Sequence, residues 1–153
     1  MRFLELKIPP VAVFVLIGLA MWGTTTYVPR ADMSFPGAAI AAILLLIGGI
    51  VLSVSAIRRF RQHDTTVHPS NPEKASAVVT TGVYRHTRNP MYLALTMVLA
   101  AWALKLGNVA ALVGVPLFVA YMTQFQIKPE ERALRELFGG PYDDYLNSVR
   151  RWL

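Results

Sequence analysis

The sequence contains no cysteine, which excludes disulfides, thiolate metal sites and a thiol nucleophile within its 153 residues. No metal site is expected. Charge is also sparse: 16% of residues are Asp, Glu, Lys or Arg, where soluble domains carry about a quarter. No glycine-rich strand-to-helix turn is present, since Gly48-Gly49 lies inside an apolar run; the Rossmann-type phosphate cradle is therefore missing. Acidic residues are few, nine against fifteen basic ones, giving a formal net charge of +6. That excess does not indicate nucleic acid, because aromatic and basic residues are not interleaved as an RNA-binding surface requires. In an apolar chain, basic residues are explained first by topology and by anionic headgroups.

Apolar residues are what the chain has in quantity. They make up 54% of the sequence, and the mean hydropathy is +0.43. They gather into four runs, at about 8–28, 35–57, 90–106 and 108–127, each near the roughly 20 residues that cross a bilayer. The first run is too long for a signal-peptide core and no A-x-A-like site follows it, so it is expected to remain as a membrane helix. Pro29 to Ser34 form a turn-like link between runs one and two, and Leu106-Gly107-Asn108 a short hairpin link between runs three and four. The expected architecture is all-α: one domain over 1–153, built as an integral bundle of four transmembrane helices. A cytoplasmic loop (58–89) and a cytoplasmic tail (128–153) bearing an amphipathic helix complete it. Four crossings put both termini on one side, and thirteen of the fifteen Lys and Arg then share that side, leaving Arg30 and Lys105 on the other. The positive-inside rule makes the richer side cytoplasmic, as in a bacterial inner membrane. Gly37 with Ala41, Ala38 with Ala42, and Ala110 with Gly114 have the small-residue spacing of helix packing in lipid.

Two polar segments can carry chemistry. The loop ends Thr80-Thr81-Gly82-Val83-Tyr84-Arg85-His86-Thr87-Arg88-Asn89-Pro90-Met91-Tyr92. Asn89 before Pro90 is a helix start, with Asn capping free N–H groups and Pro at the first helical position. Arg88 beside such a helix N-terminus can bind an anion such as a carboxylate; snorkelling at the interface would also account for it. The second segment runs from Lys128-Pro129-Glu130-Glu131 to Phe138-Gly139-Gly140-Pro141-Tyr142-Asp143-Asp144-Tyr145. Pro129 should kink or restart the helix. Glu130 and Glu131 suit the positive end of a helix, and Glu131 with Arg135 and Arg132 with Glu136 are spaced to pair. Ala133, Leu134, Leu137 and Phe138 form an apolar stripe, placing this helix on the membrane surface or against the bundle.

Gly82-x-Tyr84, Arg88-Asn89-Pro90-x-Tyr92, Glu130-Glu131, Phe138-Gly139 and Tyr142-x-x-Tyr145, in that order around a helical hairpin, resemble the isoprenylcysteine carboxyl methyltransferase and phospholipid methyltransferase superfamily. Thr65-Thr66-Val67-x-Pro69 also fits its prokaryotic members. The resemblance covers about 60–153, and the first two helices match only in hydrophobicity. It implies a membrane enzyme that binds S-adenosylmethionine at its cytoplasmic face. The cofactor pocket, carried over by position, would comprise Gly82, Val83, Tyr84, Arg88, Asn89, Pro90, Tyr92, Glu130 and Glu131. Arg88, Glu131 and Asn89 would be the catalytic set. Asn89 stands where the prenylcysteine branch has His, and Val83 replaces a frequent Pro.

The implied partners are the bilayer and a lipid or prenylated acceptor, with no nucleic acid. An ionised carboxylate acceptor needs no base, only desolvation and a fixing cation such as Arg88, and carboxyl O-methylation is placed first. A protonated amine acceptor would need a proton acceptor, with Glu130, Glu131 or His86 at hand. The rival readings are a membrane sterol-type reductase using NADPH and a non-enzymatic small membrane protein. The latter is disfavoured because the apolar runs hold almost no ionisable residue to line a pathway.

Overall fold

The computed structural model describes residues 5–28, 33, 35–62 and 78–153. His63 and the Thr65–Pro69 stretch, with most of the Pro29–Ser34 link, lie outside the described residues. Every regular element among the described residues is helical: α1 (Pro10–Tyr27), α2 (Ala38–Gln62), α3 (Pro90–Leu106), α4 (Gly114–Met122), α5 (Lys128–Phe138) and α6 (Gly140–Ser148). Short 3₁₀ turns at Gly82–Arg85 and Val109–Val113 precede α3 and α4, and a wide π turn at Thr123–Ile127 joins α4 to α5. Three stretches are long and apolar enough to cross a membrane: Pro10–Tyr27, Ala38–Arg59 and Val109–Phe138. Pro90–Leu106 is a shorter apolar helix. The protein is an integral membrane protein by this measure. Its many exposed apolar side chains, including Leu16, Leu19, Ile40, Ile43, Ile47 and Leu117, would be a liability in water and are ordinary in lipid.

The helices have two distinct ends. At one, the Asn108 amide donates to Val28 O (2.8 Å) and Met33 N to Gly107 O (2.7 Å), joining the two links. At the other meet the N-terminal residues, the loop before α3 and the C-terminus. There, Leu6 N bonds Phe125 O (3.0 Å) and Arg88 N bonds Arg150 O (3.0 Å).

Pro129 restarts the helix as expected, standing in the first turn of α5 directly after a π turn. The helix runs on from Val109 to Phe138, and the π turn absorbs the misfit just before the proline. Lacking an N–H, Pro129 leaves the carbonyl of Phe125 without its helical donor; Leu6 N supplies one. The expected Glu131–Arg135 and Arg132–Glu136 pairs do not form. Arg132 reaches Glu5, Arg135 reaches Asp143 at 2.5 Å, and Glu131 turns inward to the site. Cross-segment partners hold these groups where a solvated helix face would have left them to their neighbours.

The membrane core is formed by Val13 and Met21 of α1, Leu99 and Ala103 of α3, and Phe118 and Met122 of α4. Between α2 and α3 the small residue that matters is Gly49, a position the expected pairs left out. A Cβ there would stand 3.0 Å from Ala94 O, so glycine lets the backbones close. A second cluster joins Ala56 of α2 to Val79, Tyr84, Tyr142 and Tyr145, with Leu134 and Phe138 of α5 packed against it. This cluster carries the loop that forms the site; of the apolar stripe on α5, Leu137 remains exposed.

Candidate active site at the helix ends

The loop before α3 is shaped from Gly82 onward. Gly82 has φ +64°, and a Cβ on it would collide with the Arg59 guanidinium of α2. A left-handed conformation and a packed arginine together call for glycine. We expect Gly82→Ala to lower stability by about 1–2 kcal/mol, measured as a drop in the thermal midpoint. The turn then buries Tyr84, whose carbonyl accepts from the Tyr145 hydroxyl at 2.8 Å. Burial pushes the hydroxyls of Tyr84, Tyr142 and Tyr145 up from their ordinary range, so all three are neutral donors at physiological pH. Val83 packs partly buried against the same cluster, and His86 is exposed.

Pro90 takes the first position of α3, as expected. Asn89 does not cap it with its side chain. Its amide instead donates to Arg151 O at 2.9 Å, and its own N–H goes to the Thr87 hydroxyl at 3.2 Å. Thr87, 2% exposed, also donates to Arg151 O. Tertiary bonds to the C-terminal residues have taken over from local capping. Asn89 still serves α3 through its carbonyl, which accepts from Leu93 N at 2.9 Å.

Arg88 and Glu131, 43 positions apart in sequence, form an ion pair at 3.3 Å, with side chains 11% and 15% exposed. Arg151 grips the same carboxylate twice, Nε to Oε1 at 3.0 Å and Nη2 to Oε2 at 2.7 Å. Its hydrogen bond to Glu131 raises the pKa of Arg151 further. Glu131 is thus shared by two guanidinium groups. Glu130, adjacent on α5, accepts a hydrogen bond from the Tyr92 hydroxyl of α3 and has no ion-pair partner among the described residues. Arg88 Nε is buried with no hydrogen-bond partner among the described residues. One carboxylate without a cation and one guanidinium N–H without an acceptor are left within the same cluster.

All nine positions singled out in the sequence fall on the segments that meet here: Arg88, Asn89 and Glu131 are joined through Arg151, and Tyr92 bonds Glu130 beside them. Sequence reasoning missed Thr87, Arg151 and Trp152. Trp152 Nε1 donates to Thr123 Oγ1 at 3.1 Å, pinning the C-terminal residues to the π turn. In the sequence the basic residues at 150–151 count only as topological charge, and the one signal beside them is the tryptophan that follows.

In this all-helical membrane protein the buried ion pairs collect where the loop, α3, α5 and the C-terminal residues converge. The profile of the phospholipid methyltransferase family matches residues 38–140, and the chain belongs to that family. The match takes in α2, which the motifs alone had not reached, and stops before most of α6. The chain is also 49% identical over 63 residues to an uncharacterised protein of Haemophilus influenzae, spanning 41% of this chain and all of that protein. No solved structure matches the chain.

Proposed function

We propose that this protein transfers a methyl group from S-adenosylmethionine to a lipid-like acceptor at the cytoplasmic face of the membrane. The observation that carries the reading is the union of the Arg88 loop with the Glu130-Glu131 turn across the α3–α4 hairpin. The residues fit the cofactor. The buried, partnerless Nε of Arg88 suits a carboxylate, and Glu130, without a cation, suits an amino or hydroxyl group. The cofactor supplies a methyl already activated by a sulfonium, so the residues have mainly to align, desolvate and hold the acceptor, which is worth roughly 7–11 kcal/mol in favourable cases. Tyr84, Tyr142 and Tyr145 wall the site in a dry cluster, where such alignment is best kept.

A carboxylate acceptor would need only a fixing cation. The family description and Glu130 favour a second reading, N-methylation of an amine headgroup, because a carboxylate free of cations is the proton acceptor an ammonium requires. Membership of a methyltransferase family supports methyl transfer over a sterol-type reductase or a structural subunit. The topology that goes with the reading has α3 as a fourth crossing and both termini cytoplasmic. α5 then projects beyond the bilayer as an amphipathic helix. Val109–Phe138, at 30 residues, is about 45 Å long against a hydrocarbon core of about 30 Å.

The full chain in nanodiscs should bind S-adenosylhomocysteine and not NADPH. It should also move labelled methyl from S-adenosylmethionine into a membrane lipid extract or small prenylated thiols, with the product identified by mass. NADPH binding without S-adenosylhomocysteine binding would overturn the reading.

A further inference from the structure

Arg88 is held at both ends. Its backbone N–H donates to Arg150 O at 3.0 Å, and its guanidinium reaches Glu131 Oε1 at 3.3 Å. With both ends tied, the direction of Nε depends on where the Arg150 carbonyl stands. The next carbonyl, of Arg151, accepts from the Asn89 amide at 2.9 Å and from the Thr87 hydroxyl at 3.3 Å. Two consecutive carbonyls thus receive three donors from the loop before α3. Neighbouring carbonyls share one backbone and shift together, so this short segment is a template for the loop.

The template needs an anchor of its own. α6 ends at Ser148, Val149 is extended (φ −126°, ψ 136°), and no helical ladder sets the residues that follow. Trp152 provides the fixed point. Its ring packs against the membrane core of Phe118, Met122 and Ile127, and its Nε1 donates to Thr123 Oγ1 at 3.1 Å. The Thr123 hydroxyl spends its own hydrogen on Val119 O, at 2.6 Å, which leaves its lone pairs to the indole. Thr123 opens the π turn, and that turn is braced again by Leu6 N on Phe125 O (3.0 Å) and by the Gln126 amide on Ile8 O (2.7 Å).

We propose that Trp152 is a positioning residue of the candidate site: acting through the Arg150 and Arg151 carbonyls, it fixes how Arg88 and Asn89 face the cofactor. The inference rests on the methyl-transfer reading. Trp152 lies outside residues 38–140, the part of the chain that the family matches. Arg151 and Trp152 tie the segment to one continuous helix at two points, Glu131 and Thr123. The Arg151 side chain is the weaker tie, being 34% exposed; losing it leaves both carbonyls and the indole anchor in place.

The full chain in nanodiscs tests this with the variants Trp152→Phe and Thr123→Val and with the two combined. Phenylalanine keeps a ring in the core and removes the N–H. Each single change should weaken S-adenosylhomocysteine binding about five-fold, the size of one ordinary net hydrogen bond. The double variant should lose no more than either single one, because both break the same bond. Thr123→Ser restores the hydroxyl and should recover most of what Thr123→Val loses. Hydrogen exchange at the Arg88 amide, read residue by residue by fragmentation mass spectrometry, should quicken about five-fold in both single variants. The control is Trp102→Phe, which removes an equivalent indole bond, to Gly18 O at 3.1 Å; it should change neither Arg88 exchange nor affinity. Unchanged Arg88 exchange, additive losses in the double variant, or an equal loss in Trp102→Phe that follows the thermal midpoint would each overturn the proposal. Should Trp152→Phe not fold, Thr123→Val carries the same test from the other partner. If the unmutated chain binds no S-adenosylhomocysteine, the methyl-transfer reading fails, and Arg88 exchange still decides whether Trp152 sets the loop.

Discussion

Replacing Arg88 with alanine should lower kcat/KM for methyl transfer about 100-fold or more, equivalent to about 2.7 kcal/mol, with a parallel loss of S-adenosylhomocysteine affinity. Arg88 is 11% exposed and faces a carboxylate that is 15% exposed. Truncating one member of a buried pair leaves the other desolvated with less compensation. Glu131 would keep Arg151, so the protein should still fold; what disappears is the partnerless Nε and the planar fork around it. Arg88→Lys should recover little, because an ammonium restores charge without the fork. Arg151→Ala should be milder, about ten-fold or less, since that side chain is 34% exposed and exposed pairs contribute modestly. Binding titrations and initial rates on nanodisc-held protein separate these cases. Ordinary turnover and affinity in Arg88→Ala would remove Arg88 from the site.

The second large effect is expected at Glu130. Glu130→Gln keeps the size of the side chain and an oxygen to accept from Tyr92, but replaces the second carboxyl oxygen with an amide donor. Affinity for both S-adenosylmethionine and S-adenosylhomocysteine should fall about ten- to 100-fold, in line with a buried ligand donor left without its acceptor, about 1–3 kcal/mol. Intact affinity with lost turnover would reassign the carboxylate to the acceptor's proton, the amine reading. No change in either quantity would exclude Glu130 from both roles. Tyr92→Phe provides the internal comparison: it removes only the hydroxyl that donates to Glu130, and should cost less than the change of the carboxyl does.

The contrast between Glu130 and Glu131 shows why the site was only half legible in advance. In the sequence the two are adjacent, alike in helix position and alike in their options. Three-dimensional packing separates them: Glu131 receives Arg88 and Arg151, while Glu130 receives an uncharged tyrosine. Local rules failed in the same way at Asn89, whose amide leaves its helix for Arg151 O. At Pro129 the helix restarts as local rules expect, but they did not show that Leu6 N would dock on the Phe125 carbonyl beside it. In each case a distant backbone or side-chain group supplied the partner, because the site end of the bundle brings three chain segments together.

The chain by itself determined its class. Apolar runs must be buried in lipid and helical there, since no other open backbone can satisfy its hydrogen bonds in hydrocarbon. The Arg-Asn-Pro and Glu-Glu motifs on either side of a hairpin marked where charge would gather. Only the tertiary structure decided which carboxylate is occupied and that the C-terminal Arg151 and Trp152 close the cluster. Those outcomes depend on contacts between residues 20 to 62 positions apart, and local spacing carries no information about them.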